Sequence, residues 1–396
     1  MNTRLRLALL ASAVAGALPL AAAAAETGLW PPKIGFASGD ELALTGNLAY
    51  DINRFDGQGY AGAALDDDDA WRRQELGITL KRKGLYDFGA TFDYQSKTWS
   101  DVVLRVETRP LAGRDLGKLR IGQMKLPLGM EGNTATRSVA FLEASLPTQA
   151  FYQGRRTGVD WAFERERYVA NAGYFFKADL QGNNPGHTAA ARLAWTPLKQ
   201  PGRVLHLGVA AARENPDSEV NGLGVTVQPS VRWRAKPGSA LTSVRLVDSG
   251  TLTRVDHIDR AGLEALWIDG PWSLQGEYLR QHTVRQAALP GYASDGWYVF
   301  GSWLATGESR PYSGGNVSNP KPKGKYGALE LLLRYSRIDL DGDGIAGGRA
   351  HDWTLGANWY LAQNFKFQLG YVKTEARRGA YSADPSALQL RAQLHF

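Results

Sequence analysis

The chain has 396 residues, a formal net charge of +7 at pH 7 and no cysteine, which excludes disulfides and thiolate metal sites. Its 45 glycines, 12 tryptophans and 16 tyrosines fit an all-β chain with regular turns better than a disordered one.

Residues 1–25 have the pattern of a secretory signal peptide. Arg4 and Arg6 precede an apolar stretch, and an Ala-x-Ala sequence ends just before Glu26. A buried N-terminal helix is the alternative, which the polar sequence that follows disfavours. The mature protein is then predicted to be one domain, residues 26–396, with no later apolar run of about eighteen residues that would form a transmembrane helix.

The mature chain alternates apolar and polar residues with a period of two. In residues 364–372, four apolar side chains share one face, while Lys366, Gln368 and Gly370 share the other. About sixteen to eighteen such segments follow one another, each roughly nine to thirteen residues long, which is the length that a tilted strand needs to cross a bilayer. The pattern predicts an all-β, transmembrane antiparallel β-barrel; a soluble β-sandwich is the alternative.

Turns and aromatic residues favour the barrel. Very short turns, such as 82–84, 269–271 and 362–364, alternate with the long polar connections 55–70, 307–325 and 339–352, which are expected to gather on the other rim. Tryptophans concentrate near strand ends, as in the aromatic girdle of a membrane barrel. They are Trp71, Trp99, Trp195, Trp267, Trp272, Trp297, Trp303, Trp353 and Trp359.

Two basic clusters stand out. Arg72 and Arg73 open a strand in which alternation points Arg73 inward; a rim pair that balances the acidic run 66–69 is the alternative. Arg232, Arg234 and Lys236 alternate with apolar residues, so a strand would carry them in one row, about 6.6 Å apart. Guanidinium and ammonium groups donate charge-assisted hydrogen bonds, which can replace the water molecules around an anion. A solvated cationic face near a rim is the alternative for this second cluster.

Other site classes find little support. Residues 339–344 match the first half of a calcium-binding EF-hand loop, but its twelfth position is Ala350 instead of glutamate, which favours a polar turn over a cation site. The sequence has no HExxH or GxSxG motif, and we expect no cofactor and no enzyme activity. Nucleic-acid binding is not indicated, because basic residues are interspersed with acids in an exported chain.

The last strand, residues 386–396, alternates cleanly and ends on Phe396. Such an ending resembles the signal that the barrel-assembly machinery of bacterial outer membranes recognises. Four further stretches occur in the order typical of one family: 122–133 with 141–147, then 211–252, 304–314 and 352–372. Together they resemble the phosphate-selective porin O and P family of Gram-negative outer membranes.

This resemblance implies a homotrimer of sixteen-stranded barrels, each with one long loop folded into its pore. The strand count reaches eighteen, so two segments need not be wall strands, and residues 242–250 are one candidate. Arg72 and Arg73 resemble the basic pair of the family's constriction. Lys125 then lies where the inward loop begins and Arg137 within it. Asp101, by the same analogy, faces the basic constriction and positions its arginines; a plain salt bridge is the alternative.

The sequence therefore predicts a passive, anion-selective channel for phosphate or polyphosphate, in contact with outer-membrane lipid. A general porin, or one for other anionic nutrients, is the alternative.

Overall fold

The computed structural model describes residues 31–220 and 222–396. The predicted signal peptide lies outside these residues. The wall strands are β1 Asp40–Asp56, β2 Asp68–Arg82, β3 Tyr86–Asp93, β4 Thr98–Glu107, β5 Lys118–Lys125, β6 Arg155–Glu164, β7 Tyr168–Lys177, β8 Gly186–Gln200, β9 Arg203–Pro216, β10 Val255–Asp269, β11 Trp272–Arg285, β12 Tyr292–Leu304, β13 Ala328–Gly342, β14 Ile345–Tyr360, β15 Phe365–Arg378 and β16 Ser386–His395.

The wall closes into an antiparallel barrel. Each strand pairs with the next, and β16 pairs with β1 from Asn47↔His395 to Asp56↔Ser386. The sheet also contains two three-residue strands, Lys33–Gly35 and Tyr381–Ala383, which add to β1 and β15 without becoming wall strands. The wall therefore has sixteen strands, the lower of the two counts that the sequence allowed.

Alternation decides what each wall residue faces. On β13, Leu329, Leu331 and Leu333 are exposed on the outer face, whereas Glu330 and Arg334 are buried inside. All nine tryptophans expected in the girdle are exposed, by between 37 and 52 %. No helix in the described part of the chain is long and apolar enough to cross a membrane.

The two ends of the barrel differ. The C-terminus lies at the end with most of the short turns, and Phe396 and Gly46 exchange two backbone hydrogen bonds of 3.0 Å there. The ring of Phe396 also lies over Gly46, where an added Cβ would come within 2.4 Å of it. Because short turns of outer-membrane barrels are periplasmic, we call this the periplasmic end and the opposite one the extracellular end.

Three connections contribute side chains to the barrel interior. The inner loop (126–154) and the central segment (217–254) leave the extracellular end, and the periplasmic loop (305–327) leaves the other. The expectation that all long connections share one rim is therefore wrong for the periplasmic loop. Residues 339–352, also expected as a long connection, belong almost entirely to β13 and β14.

The remaining elements are short. The helices are α1 Thr108–Ala112, α2 Met130–Asn133 and α3 Leu146–Phe151, with 3₁₀ turns at Tyr60–Gly62 and Thr136–Ser138. Two-residue strands occur at Glu219–Val220, Thr226–Val227, Ser230–Val231, Arg234–Ala235, Val247–Asp248, Leu252–Thr253, Tyr312–Ser313 and Asn316–Val317.

Candidate channel constriction

Two lysines fix the inner loop from the wall. Lys125 donates from Nζ to the carbonyl oxygens of Gly132 (2.9 Å) and Thr134 (2.6 Å). Lys366 likewise donates from Nζ to the carbonyl oxygens of Arg137 (3.1 Å) and Val139 (3.0 Å). Lys125 is therefore a tether for the loop as well as a lumen cation, a role that the sequence did not indicate.

A glutamate and an arginine complete this attachment. The Glu277 carboxylate accepts hydrogen bonds from the backbone N–H groups of Met130 and Glu131, both at 2.6 Å. Arg334 donates to the carbonyl oxygen of Glu143 at 2.9 Å, and its guanidinium lies 4.5 Å from the centre of the Phe141 ring. The loop backbone is thus held at several points across the lumen.

The loop borders a cavity of about 170 Å³ lined by four arginines, which we call the arginine pocket. Arg72 and Arg73 come from β2, Arg391 from β16 and Arg310 from the periplasmic loop. Glu131 and Glu143 of the inner loop also line it. Four guanidinium groups around one small space form an environment suited to an anion.

Carboxylates balance much of this charge. Arg72 pairs with Glu143 (Nε to Oε1, 3.2 Å), and Arg391 makes two hydrogen bonds of 2.6 Å to Asp51. Arg73 pairs with Asp93 at 3.0 Å, so the acid that holds it is Asp93. Burial alone would raise the pKa of Glu143, but the charges of Arg72 and Arg391 outweigh this effect and keep the pKa below its usual value.

Arg310, like Arg391, is a lining arginine that the sequence did not indicate as a site residue. It is 3 % exposed, and its Nε lies 3.3 Å from Glu330 Oε1. Its Nη1 is buried and has no hydrogen-bond partner among the described residues. The stretch 304–314 contained it, but local sequence gives no sign that a loop from the periplasmic end reaches the lumen.

A second cavity, of about 360 Å³, brings Asp101, Lys125 and Arg137 together. Asp101 pairs there with Arg155 (Nε to Oδ1, 2.6 Å), so Asp101 does not contact the arginine pair of β2. Thr136 of the inner loop lines both cavities. Of the residues expected around the constriction, Arg72 and Arg73 therefore line one cavity, and Asp101, Lys125 and Arg137 line the adjacent one.

The cluster Arg232, Arg234 and Lys236 does not form the predicted row on a wall strand. It belongs to the central segment, and within residues 230–238 only Ser230–Val231 and Arg234–Ala235 are strands, of two residues each. The reason is Trp233, which is 2 % exposed and packs against Phe151, with 5.8 Å between ring centres. This burial folds the segment onto the inner loop.

Each of these three cations has a different environment. Arg232 makes two hydrogen bonds to Asp248, at 2.7 and 2.5 Å. Burial alone would raise the pKa of Asp248, but these hydrogen bonds oppose it and the pKa lies below its usual value. Lys236 donates to the Ala240 carbonyl oxygen at 2.7 Å, and burial, followed by the nearby Arg245 charge, lowers its pKa. Arg234 is exposed.

Residues 339–344 form the end of β13 and the turn into β14. Asp339 and Asp341 pair with Arg349, and Asp343 accepts a hydrogen bond from the Ala293 backbone at 2.9 Å. Within the described ranges, no group of three or more potential ligands is placed to hold a metal ion.

Comparisons with known proteins agree with this architecture. The family model "phosphate-selective porin O and P" matches residues 42–396. Porin O of Pseudomonas aeruginosa is 24% identical over 366 residues, which are 84% of this chain and 82% of that protein. An uncharacterized protein of Caulobacter vibrioides is 26% identical over 365 residues, 86% of this chain and 70% of that protein.

Solved structures share the fold at lower identity. The outer-membrane channel DcaP of Acinetobacter baumannii has a TM-score of 0.58 and 9% identity, over 92% of this chain and 99% of that chain. An anion-selective porin from Comamonas acidovorans has a TM-score of 0.53 and 12% identity, over 90% of this chain and all of that chain. Porins are passive channels, which confirms the expectation that this protein is not an enzyme. This outer-membrane channel of a Gram-negative bacterium belongs to the phosphate-selective porin O and P family.

Proposed function

We propose that this channel selects anions and has a weak binding site for phosphate or polyphosphate in the arginine pocket. One observation carries the proposal: Arg310 lines a cavity together with three further arginines, and its buried Nη1 has no hydrogen-bond partner among the described residues. A buried, unsatisfied donor costs free energy. An anion oxygen would satisfy it.

The carboxylates around the pocket explain why binding would be weak. Arg72, Arg73 and Arg391 are each already paired with a carboxylate. An anion therefore shares these guanidinium groups with acids that stay in place, and it gains less than it would from free arginines. A channel needs this compromise, because an ion that binds too tightly does not leave.

The central segment would supply the approach from the extracellular side. Arg234 is exposed, and Lys236 lies close enough to Arg72 and Glu143 for their charges to act on it. We propose that Arg232, Arg234 and Lys236 guide anions toward the arginine pocket. Lys125, Asp101 and Arg137 would guide them through the second cavity.

Phosphate block of the chloride current through single channels tests this proposal. Arg310→Gln should weaken the block by about tenfold or more, since charged hydrogen bonds contribute about 1.5–3 kcal/mol and about 1.4 kcal/mol is a factor of ten in affinity. Arg203→Gln is the control, because Arg203 is exposed at the periplasmic rim and the block should stay as in the wild type. Equal block in wild type and Arg310→Gln would refute a phosphate site at Arg310.

A porin for other anionic nutrients is the second candidate, and Glu131 and Glu143 favour it because they lower the positive charge of the pocket lining. Current block by succinate, compared with block by phosphate at equal charge, separates the two. Stronger block by succinate would favour the second candidate.

We further propose a homotrimer that contacts outer-membrane lipid and is inserted by the barrel-assembly machinery through Phe396. One similar structure, OmpT of Vibrio cholerae, is described as a trimer form. Strands β3 and β5 have only eight residues each, whereas β13 has 15, so this short side of the wall would suit protein contact better than a full bilayer. Mass measurement of the detergent-solubilised protein tests the trimer, and Phe396 deletion tests insertion.

A further inference from the structure

The outer wall changes character along β13 and β14 toward the extracellular end. On β13, exposed leucines give way to Tyr335 and then to the exposed Arg337. On β14, Trp353 is followed by His351 and Arg349 in the same direction. Basic side chains thus lie just beyond the aromatic belt, at the depth where lipid headgroups begin.

Strand register brings four basic residues to one groove. Arg337 lies opposite His351, and Arg349 lies opposite Arg377 of β15. Arg337 and Arg377 are two strands apart, with about 12 Å between their Cα atoms from standard strand spacings. They line a groove of about 740 Å³, together with Tyr335 and with Asp384 near the start of β16.

Most charges in this groove are paired, but two are not. Arg349 pairs with Asp339 at 2.9 Å and with Asp341 at 3.4 Å, His351 pairs with Glu375 at 3.5 Å, and Asp384 pairs with Lys373. Arg337 and Arg377 make no side-chain hydrogen bond or ion pair within residues 31–220 and 222–396, although both line the groove. Two free guanidinium groups at headgroup depth match the planar, multi-oxygen geometry of a phosphate.

We propose that this groove binds the phosphate of a membrane lipid in the extracellular leaflet. Arg337 and Arg377 hold the phosphate, and Tyr335 packs beside the apolar part of the lipid. The ligand is a lipid and not a free anion, because the groove lies on the outer face of the wall and adjoins the leucine surface of β13. This site is separate from the proposed channel constriction.

Native mass spectrometry of the purified protein tests the site. The probes are lipid A with two phosphate monoesters and the same lipid after dephosphorylation. The double variant Arg337→Gln/Arg377→Gln should bind phosphorylated lipid on the order of tenfold less than wild type, because each arginine near an anionic surface adds to the attraction. Dephosphorylated lipid should bind the wild type as weakly as phosphorylated lipid binds the double variant. The control Arg203→Gln removes an exposed outer arginine at the periplasmic rim and should bind like wild type.

Either of two results would overturn the proposal: equal binding of phosphorylated lipid by wild type and the double variant, or undiminished binding of the dephosphorylated lipid. Displacement of the lipid by millimolar inorganic phosphate would show that the groove takes free phosphate instead. Single-channel conductance checks folding, and it should be equal in all variants because the changed residues lie outside the lumen.

Discussion

Glu143 sets the balance of charge at the arginine pocket. It pairs with Arg72 at 3.2 Å, and its Oε1 lies 3.8 Å from Nη2 of Arg391. The carboxylate therefore occupies the guanidinium groups that a passing anion would use. At the scale of single residues, an acid of the inner loop would compete with the proposed anion for the arginines of the wall.

Replacing Glu143 by glutamine should strengthen phosphate block of the chloride current severalfold. The substitution removes the competing charge but keeps an oxygen that can accept hydrogen bonds from Arg72. Asp269→Asn is the matched control, because Asp269 pairs with Arg203 at the exposed periplasmic rim. Weaker or unchanged block in Glu143→Gln would show that this carboxylate does not compete with anions.

The lowered pKa of Glu143 predicts how selectivity depends on pH. Its folded-state pKa lies below the usual value, so the pair with Arg72 is intact above the usual glutamate pKa of about 4.3 and is lost as pH falls through the lower folded-state value. Chloride selectivity should therefore stay constant from pH 7 to about 5 and rise only in stronger acid. Zero-current potentials across this range check the prediction. A rise centred above pH 5, or one that persists in Glu143→Gln, would contradict it.

The inner loop and the central segment show which elements a sequence can predict. Wall strands followed from alternation, because each has hydrogen-bonded neighbours and two distinct faces. The central segment alternates too, but Trp233 is buried against Phe151, so its period of two did not indicate a wall strand. Alternation pointed Arg73 inward, and both Arg72 and Arg73 line the arginine pocket, whereas the tether role of Lys125 and the contribution of Arg310 depend on loop contacts distant in sequence.

Lys366→Met should loosen the inner loop. The substitution leaves the carbonyl oxygens of Arg137 and Val139 without the ammonium that now donates to them, at a cost of about 1–3 kcal/mol for such buried groups. We expect noisier single-channel currents and a lower unfolding temperature. Lys373→Met on the same strand is the control, because its side chain is on the outer wall and pairs with Asp384. Wild-type noise in Lys366→Met would contradict the tether role.

At the scale of the whole molecule, one barrel receives side chains from loops at both of its ends. The inner loop and Arg310 of the periplasmic loop meet at the arginine pocket, while the groove lined by Arg337 and Arg377 lies on the outer face of the same wall. The sequence was sufficient to predict the barrel, its family and its membrane. It was not sufficient to divide the basic residues between lumen, loop tethers and outer wall, because alternation does not apply to loops.

The zero-current potential of a single channel in a KCl gradient tests the central proposal most directly. Four arginines and two glutamates line the pocket, whereas the other carboxylates that pair with these arginines, Asp51, Asp93 and Glu330, are not part of its lining. Chloride should therefore carry most of the current, and the potential should have the sign of an anion-selective pore. The potential should move toward zero in Arg310→Gln. A potential of the opposite sign in the wild type, which indicates potassium selectivity, would contradict the proposed anion channel.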